Sequence, residues 1–232
     1  MKNFMKVSPL RLLDMASEKR LGPGNLGVLI ARAGVGKTAC LVHIAFDRIF
    51  NGDTLVHVSV EESPEKVAFY YDVILSDMVK ALEIDDEEQL RLMIERNRMI
   101  LAYMKGSFGV DRLHKSLTNL AQNLSFKPQT LVVDGLDFDN VSRKLLEELK
   151  GLSAEFNTET WLSALSHRHK TDSNERGIPY PCHRIDDLFE VIIHLAPTAD
   201  GVYLKLLKDH GHLVSPEAMV KLDPNTFLVM PQ

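Results

Sequence analysis

"LIARAGVGKTACLVHIA", residues 29–45, decides how this chain is read. An apolar run ends in glycines, a lysine and a threonine, and an amphipathic stretch follows. Taken position by position, Ala31-Arg32-Ala33-Gly34-Val35-Gly36-Lys37-Thr38 satisfies the pattern G-x-x-x-x-G-K-[ST] everywhere except at its first glycine. The pattern has a mechanism. Backbone N–H groups from Ala33, Gly34, Val35, Gly36, Lys37, Thr38 and Ala39 can face an anion at a helix N-terminus, with the lysine reaching the β- and γ-phosphates of a nucleotide. The threonine hydroxyl is placed to ligate magnesium. Gly34 and Gly36 provide backbone freedom and close approach, while Ala31 is small enough to stand at a strand end without blocking the cradle. The flanks fit. "GVLIA" precedes the loop as a strand, "KTACLVHIAFDRIF" follows as a helix, and "NG" at 51–52 stops it.

The rest of the chain is ordinary for a globular protein: 232 residues, 45% hydrophobic and 25% charged, enough for one large α/β domain over 1–232 with its core at about 20–215. A net charge of −5 sets up no global field favouring nucleic acid or an anionic membrane. Two cysteines, Cys40 and Cys182, make no disulfide framework and fit a reducing compartment. The first residues lack a signal-peptide core and no run reaches membrane-spanning length, so a cytoplasmic location is expected.

Short β-branched runs alternate with longer helical patterns: "LGVLIA", "TLVHVSV", "TLVVDGLD", "TWLSALS", "VIIHLAP" and "VYLKLLK". Near-continuous apolar strands between helices predict a mostly parallel sheet covered on both faces. The last two runs flank "TADG" and predict an antiparallel hairpin at the sheet edge. Residues 64–82 and 87–104 read as helices from their three- and four-residue apolar spacing, with "EIDDEE" as a loop and acidic first turn between them.

Two further landmarks carry chemistry. "TLVHVSV" runs into Glu61-Glu62-Ser63-Pro64, and "TLVV" ends in Asp134, a carboxylate at a strand terminus. A glutamate after the second strand and a separate strand-end aspartate resemble the RecA superfamily of phosphate-loop ATPases. "SVEESPEKV" is similar to the second-strand motif of KaiC-type ATPases, and "ARAGVGKTA" resembles the loop of DnaB-type replicative helicases, where alanine in the first position is normal. The resemblance implies Mg-ATP binding, with Lys37 on phosphate, Thr38 and Asp134 serving Mg2+, and Glu61 orienting or activating water, with Glu62 as its alternate. It also implies assembly, since the nucleotide in such proteins often lies between subunits. The K-x-R finger pair corresponds here to Lys208-x-His210, so Lys208 is the candidate finger and His210 departs from the pattern.

Competing readings stay in view. "RAGVGKT" resembles the MinD/ParA loop, but with Arg32 where that family has lysine, and "HKTD" at 169–172 departs from the guanine-reading N-K-x-D. The loop 166–187 holds Arg168, Lys170, Arg176 and Arg184 where RecA-type proteins carry a DNA-contacting loop; a solvated surface loop is the favoured reading. Its His167, His169, Cys182 and His183 lack a zinc-type spacing. Ser166 and His167 occupy the place of a γ-phosphate sensor, while Phe156, Trp161 and Phe189 sit in apolar runs and read as core. The expected function is therefore a slow ATPase acting through a homo-oligomer, possible as a ring, or through an unknown protein partner. The rivals are a non-hydrolysing regulatory switch or scaffold and a DNA replication or recombination accessory.

Overall fold

The computed structural model describes residues 4, 6–16, 20–104, 106–212, 214–215 and 217–230. In chain order the helices are α1 (Arg11–Ala16), α2 (Lys37–Phe50), α3 (Pro64–Ala81), α4 (Glu87–Asn97), α5 (Val110–Asn123) and α6 (Arg143–Glu155). The strands are β1 (Leu26–Arg32), β2 (Leu55–Ser59), β3 (Arg98–Ala102), β4 (Thr130–Asp134), β5 (Glu159–Ser166), β6 (Val191–Thr198), β7 (Gly201–Asp209) and β8 (Met219–Leu222). They form a single sheet in the order β3-β2-β4-β5-β1-β6-β7-β8. The first six are parallel neighbours, while β7 and β8 run antiparallel. This is the mostly parallel sheet with an antiparallel edge that the sequence predicts, and "TADG" forms the β6–β7 turn, with Thr198 opposite Gly201.

The alternation of side chains sorts the core into two layers. Leu29 and Ala31 of β1 pack toward α2, α3 and α4; Leu26, Val28 and Ile30 pack toward α5 and α6. Helix α2 lies so deep that every residue from Cys40 to Ile49 is buried. Its polar residues His43, Asp47 and Arg48 are buried with it, so each needs a partner inside the core. Segments on either side of 20–215 join this packing, since Phe4, Leu10, Leu12 and Leu13 at one end and Val220, Leu222, Leu228 and Val229 at the other belong to the α2-side core. Trp161 and Phe189 are fully buried and Phe156 packs against the α5–α6 side.

Local signals explain the helix boundaries. Ser63 caps α3 through the Lys66 N–H with Pro64 in the first turn, Asp86 caps α4 through the Gln89 N–H, and Ser142 caps α6 through the Leu145 N–H. One expectation is overturned. The helix predicted over 87–104 stops at Asn97, and Arg98–Ala102 forms the parallel edge strand β3, paired with β2 from Leu55↔Arg98 to Ser59↔Ala102. The apolar run Met99-Ile100-Leu101 suits either state locally; the open edge of β2, whose backbone groups need partners, selects the strand.

Beneath the sheet lies a buried ion pair. Arg48 Nε stands 2.5 Å from Glu159 Oε1, with side chains 2% and 8% exposed, as an ion pair rather than an aligned hydrogen bond. Glu159 also accepts from Trp161 Nε1 at 3.1 Å and from the Gly22 N–H at 3.3 Å. Gly27 makes room for the indole: a Cβ there would stand 2.7 Å from a Trp161 ring carbon. Glu159→Ala removes the close partner of the buried Arg48 guanidinium and leaves Asp47 at 3.9 Å, and we expect a loss of about 3–5 kcal/mol, read from the urea unfolding midpoint. Loss below about 1 kcal/mol would show that water reaches Arg48 and that the pair is not structurally important.

Candidate functional site

The strands β2, β4, β5 and β1 are consecutive in the sheet and parallel, so their C-terminal ends meet on one edge. That edge is where open α/β sheets bind ligands. At the end of β1 the chain turns through Gly34 (φ 74°) and Gly36 (φ 106°) into α2. Gly36 stands at the N-cap in left-handed geometry with no side-chain cap, unlike the serine and aspartate caps of α3, α4 and α6. The first-turn amides of α2 are thus left to an outside acceptor.

A cavity of about 190 Å3 opens beside this turn. Lys37 and Thr38 line it from α2, Ser59, Glu61 and Glu62 from the end of β2, Asp134 to Asp139 from the end of β4, and Ser163, Leu165 and His167 from β5 and beyond. Its heart is Asp134. Thr38 Oγ1 donates to Asp134 Oδ2 at 2.9 Å, and the Ser163 hydroxyl donates to Oδ1. Parallel register brings these together: Ser59 is paired with Asp134, and Val133 with Leu162, one step before the Asp134–Ser163 contact. Ser163 carries no signal in the sequence, where it is one polar residue inside "TWLSALS"; only pairing with β4 points to it.

The two glutamates differ. Glu62 is held at both ends, its N–H donating to Ser59 Oγ at 2.9 Å and its carboxylate accepting from Lys66 Nζ at 2.7 Å. Glu61 carries no hydrogen bond or ion pair among the described residues and leans on Gly135, where a Cβ would come within 3.0 Å of Glu61 Cγ. Gly135 (φ 88°) therefore lets the end of β4 pass the glutamate closely.

Other candidates fall elsewhere. Ser166 pairs with Arg32 and is buried away from the cavity, whereas its neighbour His167 lines it. Ala33, Gly34, Val35, Gly36 and Ala39 build the loop and first turn beside the cavity rather than its wall. Lys208 is not brought to the cavity. Its ammonium donates to the carbonyls of Asp186 and Phe189 at 2.8 and 2.6 Å, and burial lowers its pKa. His210 is likewise engaged within the chain, with Asp209 at 2.7 Å and the Leu21 carbonyl at 3.1 Å. Of the loop cations, Lys170 is bonded to Tyr180 at 2.7 Å and Arg176 to Asp186 at 3.0 Å.

An oxygen-rich set suits a hard cation with a polyphosphate: a carboxylate, a threonine and a serine hydroxyl, and a lysine at a helix N-terminus. Comparison with known proteins agrees on the architecture. A solved structure of an ATPase domain superposes with a TM-score of 0.67 at 16% identity, covering 97% of this chain and 90% of that one. The fold is RecA-like, as in that ATPase domain. In sequence, this RecA-like chain is 26% identical over 191 residues to the DnaB-like replicative helicase of Enterobacteria phage T4, matching 72% of the chain and 40% of that protein. It thus spans well under half the length of this relative. No family model matches it. No helix among the described residues is long and apolar enough to cross a membrane.

Behind the phosphate loop of this RecA-like domain packs the end of the chain. A Cβ on Gly36 would lie 2.0 Å from the Phe227 ring, and Phe227 is itself left-handed at φ 56°. The turn that holds it is knotted by Asp223, which accepts from Thr226 N–H at 2.8 Å, and is tied to α2 by His43 Nε2 on the Thr226 carbonyl at 2.6 Å. Gly36→Ala thus meets two obstacles, the positive φ and the ring. We expect loss of at least about 1–2 kcal/mol of stability, and partial recovery of it in Gly36→Ala/Phe227→Ala. If the second change recovers nothing, the ring is not the obstacle.

Burial holds two imidazoles near the site down at about 4, against 6.5 in water: His43, and His57, on which the Asp134 charge pulls upward and Arg98 downward. The unfolded chain takes up protons below 6.5 that the folded chain refuses until about 4, so stability is complete above 6.5 and declines as pH falls toward 4. Urea midpoints taken between pH 7 and pH 5 should fall, and His43→Gln should make the fall shallower. An unchanged slope in that variant would show His43 already protonated in the folded state.

Proposed function

We propose that this chain binds Mg-ATP at the end of β1 and hydrolyses it slowly, in a cycle coupled to an oligomer or a partner protein. One observation carries the reading: Lys37, Thr38, Asp134 and Glu61 converge on a single cavity from three different strand ends. In this reading the uncapped amides of the phosphate loop bind the phosphates, and Lys37 adds a charge at the β- and γ-positions. Thr38 and Asp134 would hold Mg2+, which when bound withdraws charge from the phosphate oxygens. Ser163 orients Asp134 by donating to one of its oxygens, leaving the other toward Thr38. Glu61, whose carboxylate no described residue engages, accepts the proton of the attacking water or aligns it. Glu62, bonded to Lys66, supports the turn instead.

Assembly into a homo-oligomer, such as a ring, belongs to the same proposal. Lys208 would reach a neighbour's phosphate only by giving up the carbonyls of Asp186 and Phe189. Action on DNA is the second reading. The named helicase relative favours it, while the engagement of Lys170 and Arg176 within the chain leaves the loop a weak polyanion site.

Phosphate release by the purified chain, with and without single-stranded DNA, tests the whole. We expect measurable turnover that Lys37→Ala abolishes through lost nucleotide affinity. Glu61→Gln should keep binding while turnover falls by roughly two orders of magnitude. Full turnover in Glu61→Gln together with loss in Glu62→Gln would reassign the base. Full turnover in the double variant would remove both glutamates from the chemistry.

A further inference from the structure

The segment that leaves β4 lines the cavity as far as Asp139, a carboxylate with no part in the chemistry above. Asp139 and His167 both line the cavity. One oxygen of Asp139 receives His167 Nε2 at 2.7 Å; the other accepts from the Tyr180 hydroxyl and, at 3.4 Å, from Lys170 Nζ. Lys170 also donates to the Tyr180 oxygen at 2.7 Å, and its ammonium lies 4.2 Å from the centre of the Tyr180 ring. The backbone of Asp139 is pinned in turn, its N–H donating to Asp137 Oδ1 at 3.1 Å. A single carboxylate on the cavity wall thus gathers three donors from the loop that follows β5.

The electrostatics of this knot depend on what fills the cavity. The Tyr180 hydroxyl first, and then His167, hold the Asp139 carboxyl below its ordinary value, so it is ionised at neutral pH. A polyanion entering the cavity repels that carboxylate and competes for the same donors, because His167 and Lys170 can serve a phosphate oxygen as readily as a carboxylate. With Nε2 committed to Asp139, the ring position of His167 is set by this bond.

We propose that Asp139 is a positioning residue that sets His167 at the cavity and fastens the loop 167–180 to it, so that arrival of a nucleotide's terminal phosphate and release of the loop are one coupled event. The proposal rests on the ATP reading of the cavity. It assigns the loop's response to charge competition at one carboxylate.

The test uses the full chain and trypsin, which cuts after Arg168 and Lys170 within the fastened segment. Cleavage there is timed without nucleotide, with Mg-ADP and with a non-hydrolysable Mg-ATP analogue, beside steady-state ATP turnover. In the wild type we expect cleavage to speed up several-fold from ADP to the analogue. Asp139→Asn keeps the size and one acceptor but drops the charge. In it cleavage should be fast in every state, with kcat down about tenfold and KM within about threefold. Asp139→Glu should restore most of both. Tyr180→Phe, which removes only one hydroxyl, should raise the nucleotide-free cleavage and serves if Asp139→Asn does not fold. A nucleotide-dependent cleavage ratio and a kcat that stay at wild-type values in Asp139→Asn, or in Tyr180→Phe where the former is unfolded, overturn the proposal. Failure of the wild type itself to bind ATP would instead overturn the reading of the cavity, and the two failures are distinguishable.

Discussion

The structure depends on the pairing of β1 with two parallel neighbours, β5 on one side and β6 on the other. A central parallel strand must be covered on both faces, so α2 is driven into the middle of one layer and its N-terminus is fixed at the sheet's C-terminal edge. Everything at the site follows from that placement. The phosphate loop cannot move without dislodging a helix buried from Cys40 to Ile49. Glu61 and Asp134 at the ends of their strands, and Ser163 within β5, adjoin it because β2, β4, β5 and β1 are consecutive in the sheet.

Asp134 gathers the polar groups that this placement brings together. It joins three elements through two hydroxyl donors, Thr38 from α2 and Ser163 from β5, so the carboxylate is held from both sides. In the proposed reading, a charged acceptor held by fixed dipoles would need little reorganisation to take a cation, which is how preorganised sites gain over flexible ones. The same arrangement separates the two glutamates: one turn of chain after Ser59, Glu62 is fixed by Ser59 and Lys66, and Glu61 is left facing the cavity.

The outer parts of the chain brace the loop from behind. The turn from Asp223 to Phe227 is fastened to α2 through His43, and the Val229 N–H donates to the Val7 carbonyl at 2.8 Å, so both ends of the described chain meet there. Phe227 then fills the space that only a glycine at position 36 leaves. Glycine at this point therefore answers to two demands, a backbone conformation facing the cradle and a packing contact on the opposite side.

What the sequence determined by itself was the part of the molecule that depends on neighbouring residues. The loop from Ala31 to Thr38, the strand-helix alternation and the "TADG" hairpin are all demands that a few consecutive residues place on their own backbone, and such demands leave a local pattern. Lys37, Thr38, Glu61 and Asp134 stood out in the sequence through the resemblance of the motifs that hold them, each at a strand-to-helix or strand-to-loop junction, and all four line one cavity. Tertiary structure alone decided the rest. Arg98–Ala102 became a strand because β2 offered an open edge; Ser163 reached Asp134 through strand register; and Lys208 was taken up by the carbonyls of Asp186 and Phe189. Phe227 on Gly36 and Tyr180 on Asp139 are contacts of the same kind. They join residues far apart in the chain, and their geometry is set by packing and register, which no short spacing of residues encodes.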